Sequence, residues 1–271
     1  MEAAAADLTS PWPRRRGRAE ELRARYPFAA EVLALYLALL DVQEEATTLV
    51  EGAEPLTSAA SVLLPRVVDA TVAAGPPLLA EAAVERLGQG EPESMLAAWL
   101  EGSDLEPVDR YLARATLSPL LEAMPSVREL CSRAAGERHC PECGGLPQLS
   151  WLGSTGESLV AGRRHLLCSR CHSSWTVPRA ACAGCGALLT VHAESTAEAS
   201  IGEPATDQLS GAVFPHLRVE GCEQCHRYLL GVDLGRDARA VPEVDELAAI
   251  PLDLYAQERD LYKITPNLMG M

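Results

Sequence analysis

The chain has 271 residues, with 23 basic against 38 acidic side chains and a formal net charge of −15. A chain of this length buries a substantial core without disulfides, and 48% hydrophobic with 23% charged residues excludes wholesale disorder. The acidic excess argues against a protein whose main work is gripping a phosphate backbone, because such binding rests on clustered Lys and Arg.

At the N-terminus, Arg14, Arg15, Arg16 and Arg18 hint at an export signal, but Glu20 and Glu21 stand where an apolar stretch is required. The apolar run Val32 to Leu40 falls far short of the roughly 20 residues that span a bilayer. The expectation is a cytoplasmic protein without membrane insertion, its thiols reduced. Residues 1–18 read as a flexible lead-in. Residues 19–130 read as an α-helical domain, rich in Ala, Leu and Glu with apolar residues at helical spacing. Phe28, Val32, Leu35, Tyr36 and Leu39 form one core-facing stripe. Pro and Gly clusters at 52–55, 75–77, 88–92 and 102–107 divide the rest of this region into several helices. Residues 41–130 hold 16 acidic and 5 basic side chains, read as the solvated face of a bundle.

From 131 to 240 the texture changes to cysteine, glycine and short β-prone runs. Strands are predicted at 146–152, 165–167, 175–177, 188–192, 217–219 and 228–232. Residues 241–271 hold a helix around 245–261, broken or started by Pro251, and then a tail. The predicted fold is α+β and multidomain: an all-α N-terminal region, metal-binding ribbons at 131–178 and 179–240, and a C-terminal helix and tail at 241–271.

Eight of the nine cysteines form four C-x-x-C pairs: Cys140/Cys143, Cys168/Cys171, Cys182/Cys185 and Cys222/Cys225. Two intervening residues let one tight turn aim both sulfurs at a point. Two such turns supply four thiolates in a tetrahedron, the geometry of structural zinc or of a single iron. Glycine comes after the first and third pairs (Gly144, Gly186) and histidine after the second and fourth (His172, His226). That echo predicts two copies of one ribbon, pairing first with second and third with fourth. Glycine there suits a knuckle that turns back with positive φ.

Competing chemistries fit less well. A thioredoxin-like dithiol needs one pair at a helix N-terminus in a βαβ setting. Cys168–His172 and Cys222–His226 match the C-x-x-C-H haem-attachment pattern, but haem would orphan the two glycine-type pairs. A nucleic-acid-binding ribbon is disfavoured because residues 131–240 hold 10 arginines and 11 acidic residues, and four thiolates per dication add negative charge. Cys131 stands apart and reads as a small buried hydrophobe at a helix end. His172 and His226 read as orienting or covering a knuckle, His139 as a neighbour of Cys140, and Trp151 and Trp175 as ribbon-core fillers. The sequence carries no glycine-rich phosphate loop, nucleophile elbow or His-Glu-x-x-His helix, so no catalytic residue is assigned.

The chain resembles the FdhE family of formate dehydrogenase accessory proteins. The resemblance rests on Arg18 to Glu31, on the four knuckles in order with Tyr228-Leu229 after the last, on Ala240 to Tyr255, and on Pro266 to Gly270. It implies a non-enzymatic assembly factor whose two ribbons are rubredoxin-like. It implies that the eight paired cysteines hold two metal ions, iron or zinc, and that the partner is the catalytic subunit of a formate dehydrogenase. Iron would also permit passing electrons or sensing oxygen during maturation of that client. The apolar N-terminal helices fit a homodimer as well as a core.

Overall fold

The computed structural model describes residues 10–50, 54–132, 136–153, 162–194 and 213–271. Among the described residues nine helices come first: α1 (Trp12–Arg25), α2 (Ala30–Glu44), α3 (Ala46–Leu49), α4 (Pro55–Ser58), α5 (Leu64–Ala74), α6 (Pro77–Gly88), α7 (Pro92–Glu101), α8 (Pro107–Ala123) and α9 (Pro125–Arg128). Five of them begin on a proline, where the missing N–H has no intrahelical partner to lose and φ is already helical. The breakers in the sequence are thus helix starts as well as stops.

Helix α2 is apolar all round because it is buried on two sides. Leu35, Leu39 and Val42 face a core shared with α5, α7 and α8. Leu33, Tyr36 and Leu40 face a second core shared with α1, the sheet and the C-terminal helices. The predicted stripe is therefore only part of the buried surface; Phe28, counted in it, is 43% exposed. Helices α4 and α5 join through a five-residue π-helical segment, Ala59–Leu63. The resulting stretch Pro55–Ala74, 20 residues, is the one segment among the described residues long and apolar enough to cross a membrane. Its Leu63, Leu64, Val67 and Val68 pack instead in the helical core.

The lead-in expected over 1–18 is corrected from Trp12 onward. Helix α1 begins there, and Arg15 and Arg18 are buried. Arg18 forms ion pairs with Asp245 (2.5 Å) and Asp237 (2.9 Å), and Arg15 with Glu122 (2.8 Å) and Glu243 (2.7 Å). Arginines that looked like a solvated tail are neutralised by carboxylates distant in sequence.

Strands β1 (Pro147–Leu152), β2 (Arg164–Cys168), β3 (Ser174–Thr176), β4 (Thr190–Glu194), β5 (Leu217–Gly221) and β6 (Arg227–Asp233) fall where the β-prone runs lie. After them come α10 (Pro242–Ala248), α11 (Ile250–Gln257) and a short β7 (Tyr262–Lys263). The single helix expected over 245–261 is thus two, with Pro251 in the first turn of the second, where proline is tolerated. The strands form one sheet in the order β3-β2-β1-β6-β5-β4. Strands β1 to β3 are antiparallel neighbours, as are β4 to β6. The two meanders join where β1 lies parallel to β6, Ser150 opposite Gly231 and Leu152 opposite Asp233. Strand β7 also pairs with β6 in parallel, Tyr228 opposite Lys263, a contact absent from the sequence reading.

Candidate metal centres

Each knuckle is a tight turn closed by backbone hydrogen bonds. The Cys140 amide donates to the Gly145 carbonyl (2.8 Å) and the Gly144 amide to the Cys140 carbonyl (2.9 Å). The pattern repeats at Cys182, with Ala187 (2.7 Å) and Gly186 (2.9 Å), and at Cys222, with Arg227 (3.0 Å) and His226 (2.9 Å). In all four knuckles the residue after the second cysteine has positive φ: Gly144 (72°), His172 (53°), Gly186 (83°) and His226 (54°). Glycine takes that conformation freely, whereas histidine takes it at a cost of about 1 kcal/mol. The two histidines therefore do the same backbone job as the two glycines, which residue type alone did not disclose.

Folding brings the sulfurs together in the predicted grouping. Cys140, Cys143, Cys168 and Cys171 form one cluster, and Cys182, Cys185, Cys222 and Cys225 the other, with all sulfurs of a cluster within 4.8 Å of one another. Across each cluster the sulfurs of Cys143 and Cys168 lie 3.4 Å apart, Cys140 and Cys171 3.6 Å, Cys185 and Cys222 3.6 Å, and Cys182 and Cys225 3.7 Å. A tetrahedron with metal–sulfur bonds of about 2.3 Å has an edge of about 3.8 Å, so both donor sets have the size for one ion each. Backbone amides of Arg170 and Gly184 point at Cys168 Sγ (3.4 Å) and Cys182 Sγ (3.3 Å), which favours thiolate over thiol.

The electrostatics of the four thiols are strongly coupled. Within the first cluster, hydrogen bonds from neighbouring thiols, with Cys140 first, hold the Cys171 thiol far below its ordinary range. The neighbouring thiols and burial push Cys140 and Cys168 well up, and Cys131, ahead of the cluster thiols and burial, pushes Cys143 up to about 11. Four sulfurs this close do not all ionise beside one another. Cys140, Cys143, Cys168 and Cys171 would hold a dication as four thiolates, and its binding would then be coupled to folding of the knuckles.

The two clusters sit differently. The first is fully enclosed, its cysteines part of the same buried core as Leu100 and Leu121 of the helical region. His172 ties it to α8: its Nδ1 lies 3.0 Å from Glu122 Oε2, the carboxylate that also receives Arg15. Arg170, inside the second knuckle, donates to the carbonyls of Trp99 (3.0 Å) and Leu100 (3.3 Å) at the end of α7. In the second cluster Cys185 and Cys225 are half-buried, with Ile264 and Arg227 beside Gly184 as its neighbours. The two meanders are stitched by Arg164 of β2, which meets Glu220 of β5 at 2.6 Å with both side chains fully buried. Ser150 donates to the same carboxylate (2.7 Å), and Arg218 pairs with its other oxygen.

Cys131 is buried as expected, but it does not stand apart. It lies in the same core cluster as the first four cysteines, and its interaction with Cys143 is the main influence holding its own pKa below the ordinary thiol range. A thiol beside the first cluster was invisible in sequence because its spacing matches no knuckle. His139 Nδ1 is buried without a partner among the described residues, His226 is exposed, and the Trp151 and Trp175 indoles donate to Ser174 Oγ (3.2 Å) and the Glu137 carbonyl (3.0 Å).

Two family models match this architecture in tandem: FdhE, central domain, over residues 139–179, and FdhE, C-terminal domain, over 182–269. Each matched segment contains one four-cysteine cluster. The chain belongs to the FdhE family. A "Protein FdhE homolog" of Aquifex aeolicus is 26% identical over 69% of this chain and 61% of its own length. FdhE homologs of Pseudomonas putida (29% identical; 65% of this chain, 52% of the relative) and Edwardsiella ictaluri (31%; 68% and 56%) are similar. The matched region thus spans roughly half to three-fifths of those relatives. The crystal structure of the FdhE protein from Pseudomonas aeruginosa shares the fold, with a TM-score of 0.62 at 24% identity over 96% of this chain and 95% of that one.

Proposed function

We propose that this FdhE-family protein is a non-catalytic, metal-binding accessory factor for the maturation of a formate dehydrogenase, acting in the cytoplasm on the catalytic subunit. The observation that carries the reading is the pair of four-thiol clusters, each sized for one tetrahedral ion and closed by its own four sulfurs. A closed shell offers no position for substrate or water, so it builds a platform rather than an active site. The ribbons are rubredoxin-like, 131–178 and 179–240 each carry one iron or zinc ion, and the metal-folded sheet fixes α1, α2 and the C-terminal helices as a composite surface for the client. The acidic balance predicts flow-through on a nucleic-acid column. A clean deletion should lower formate dehydrogenase activity at unchanged transcript level. The wild-type gene should restore it and a Cys140→Ser/Cys182→Ser gene should not. Full activity in the deletion strain overturns the proposal.

The half-buried Cys185 and Cys225 favour a second reading, in which iron in the surface cluster passes electrons or senses oxygen for the client. Anaerobically purified protein would then be reddish and bleach reversibly on reduction. Colourless protein with two zinc ions per chain leaves the scaffold role alone.

A further inference from the structure

Beside the first cluster, and outside its metal shell, lies a cavity of about 150 Å³ walled by the side chains of Arg110, Arg114 and Arg170. No carboxylate lines it among the described residues, in a chain whose formal charge is −15. What the three guanidiniums touch is mostly carbonyl. Arg114, buried, donates to the Pro266 carbonyl (2.7 Å) and to Gln148 Oε1 (2.6 Å). Arg170 donates to the two carbonyls at the end of α7 and lies over the Trp99 ring at 5.3 Å. Arg110 meets the Leu105 carbonyl (2.8 Å) and one carboxylate, Asp104, whose side chain is almost wholly in solvent. Carbonyls satisfy N–H donors without neutralising charge, and each guanidinium has five donors. The carboxylate acting on Arg114, Glu246, is held by Lys263 (2.8 Å) and by Gln148 (2.8 Å) rather than by the guanidinium.

A fourth group completes the wall. Thr265 Oγ1 is buried with no hydrogen-bond partner among the described residues, although Thr265 lines this cavity. A buried unpaired hydroxyl costs about 1–3 kcal/mol, and although Asp104 pairs with Arg110 and Glu246 and Cys168 act on Arg114 from outside, no carboxylate stands in the cavity itself among the described residues. One oxyanion pairs the hydroxyl and places a counter-charge inside the cavity.

We propose that this cavity binds a single oxyanion group, a carboxylate, sulfate or phosphate, clamped by Arg110, Arg114 and Arg170 with Thr265 Oγ1 as an additional donor. The group belongs either to a free small anion or to an acidic side chain of a bound protein. Planar guanidinium forks match both kinds of oxyanion. The proposed site is distinct from the metal shells, but it rests on the metal-binding reading for the fold of the knuckle that carries Arg170.

Isothermal titration of the full, metal-loaded chain in a chloride background of fixed ionic strength tests it, with four probes: sodium sulfate, inorganic phosphate, sodium acetate and a blocked Ala-Glu-Ala peptide. At least one probe should bind saturably at one site per chain. Tightest binding of an inorganic anion or acetate assigns a free ligand; tightest binding of the peptide assigns a protein-borne carboxylate. Arg110→Gln, at a half-exposed position that folding tolerates, should weaken the best probe at least tenfold. Thr265→Val should also weaken it, while leaving the thermal midpoint of the ligand-free protein unchanged or higher. Saturation by none of the probes, or binding left intact by either substitution, would overturn the assignment.

Discussion

At the residue scale, the knuckles show backbone conformation outranking side-chain identity. His226 is exposed and has φ of +54° directly after Cys225. A β-branched residue is strongly disfavoured there. His226→Val should therefore destabilise the second ribbon by about 1–2 kcal/mol and loosen its metal, whereas His226→Gly should hold metal as tightly as wild type. Competition with a colorimetric chelator reads both; equal metal affinity in the two variants would contradict the backbone argument. Glu122 contributes one part of the pH dependence. Burial alone would raise its pKa, but His172 and then Arg15 hold it down at about 2. A depressed carboxylate stabilises the fold above its unfolded pKa, about 4.5, and that stability is lost as pH falls toward 2. The shift corresponds to about 3 kcal/mol. Glu122→Gln should thus be less stable at pH 7 and lose less on acidification than wild type. Urea denaturation at pH 7, 4 and 3 measures this, and parallel acid slopes would refute it.

At the scale of elements, the sheet depends on one buried charge cluster. Arg164 and Glu220 come from different meanders, and the glycine at 231 leaves room for them, since a Cβ there would lie 2.6 Å from Glu220 Oε1. Breaking such a pair from one side strands a buried charge. Arg164→Met should cost about 3 kcal/mol, and adding Glu220→Leu should recover part of it. Additive losses in the double variant, measured by thermal unfolding at saturating metal, would show that the two residues are not coupled. The six predicted strands were legible because short β-branched and aromatic runs sat between turn-forming cysteines and glycines. Strand β7 was not, because two residues carry no periodicity and its pairing exists only once α11 has brought Lys263 to β6.

At the scale of the whole molecule, two chemically equal clusters occupy unequal places. The first is sealed by α7, α8 and the tie from His172 to Glu122, whereas the second keeps two half-buried sulfurs. A chelator reaches the second through local opening and the first only through larger unfolding. Metal release should accordingly be biphasic, one ion per phase. Cys222→Ser should abolish the fast phase and Cys140→Ser the slow one. A single phase releasing both ions would show that the clusters open together. Helix α1 adds a second level of closure, because Arg15 and Arg18 clamp α8 and α10 through Glu122, Glu243 and Asp245.

The sequence by itself determined the four knuckles, the order in which their sulfurs group, the positions of the main strands and the helical character of the first half. All of these come from local spacing and periodicity, which act over a few residues. Only the tertiary structure decided that the two meanders share one sheet, that the N-terminal arginines are buried, that Cys131 borders a cluster, and that three arginines from α8 and the second knuckle wall one cavity. Each of those depends on partners brought together from distant parts of the chain. Spacing cannot register them, because an ion pair or a cavity wall is specified by packing and burial, not by neighbours in sequence.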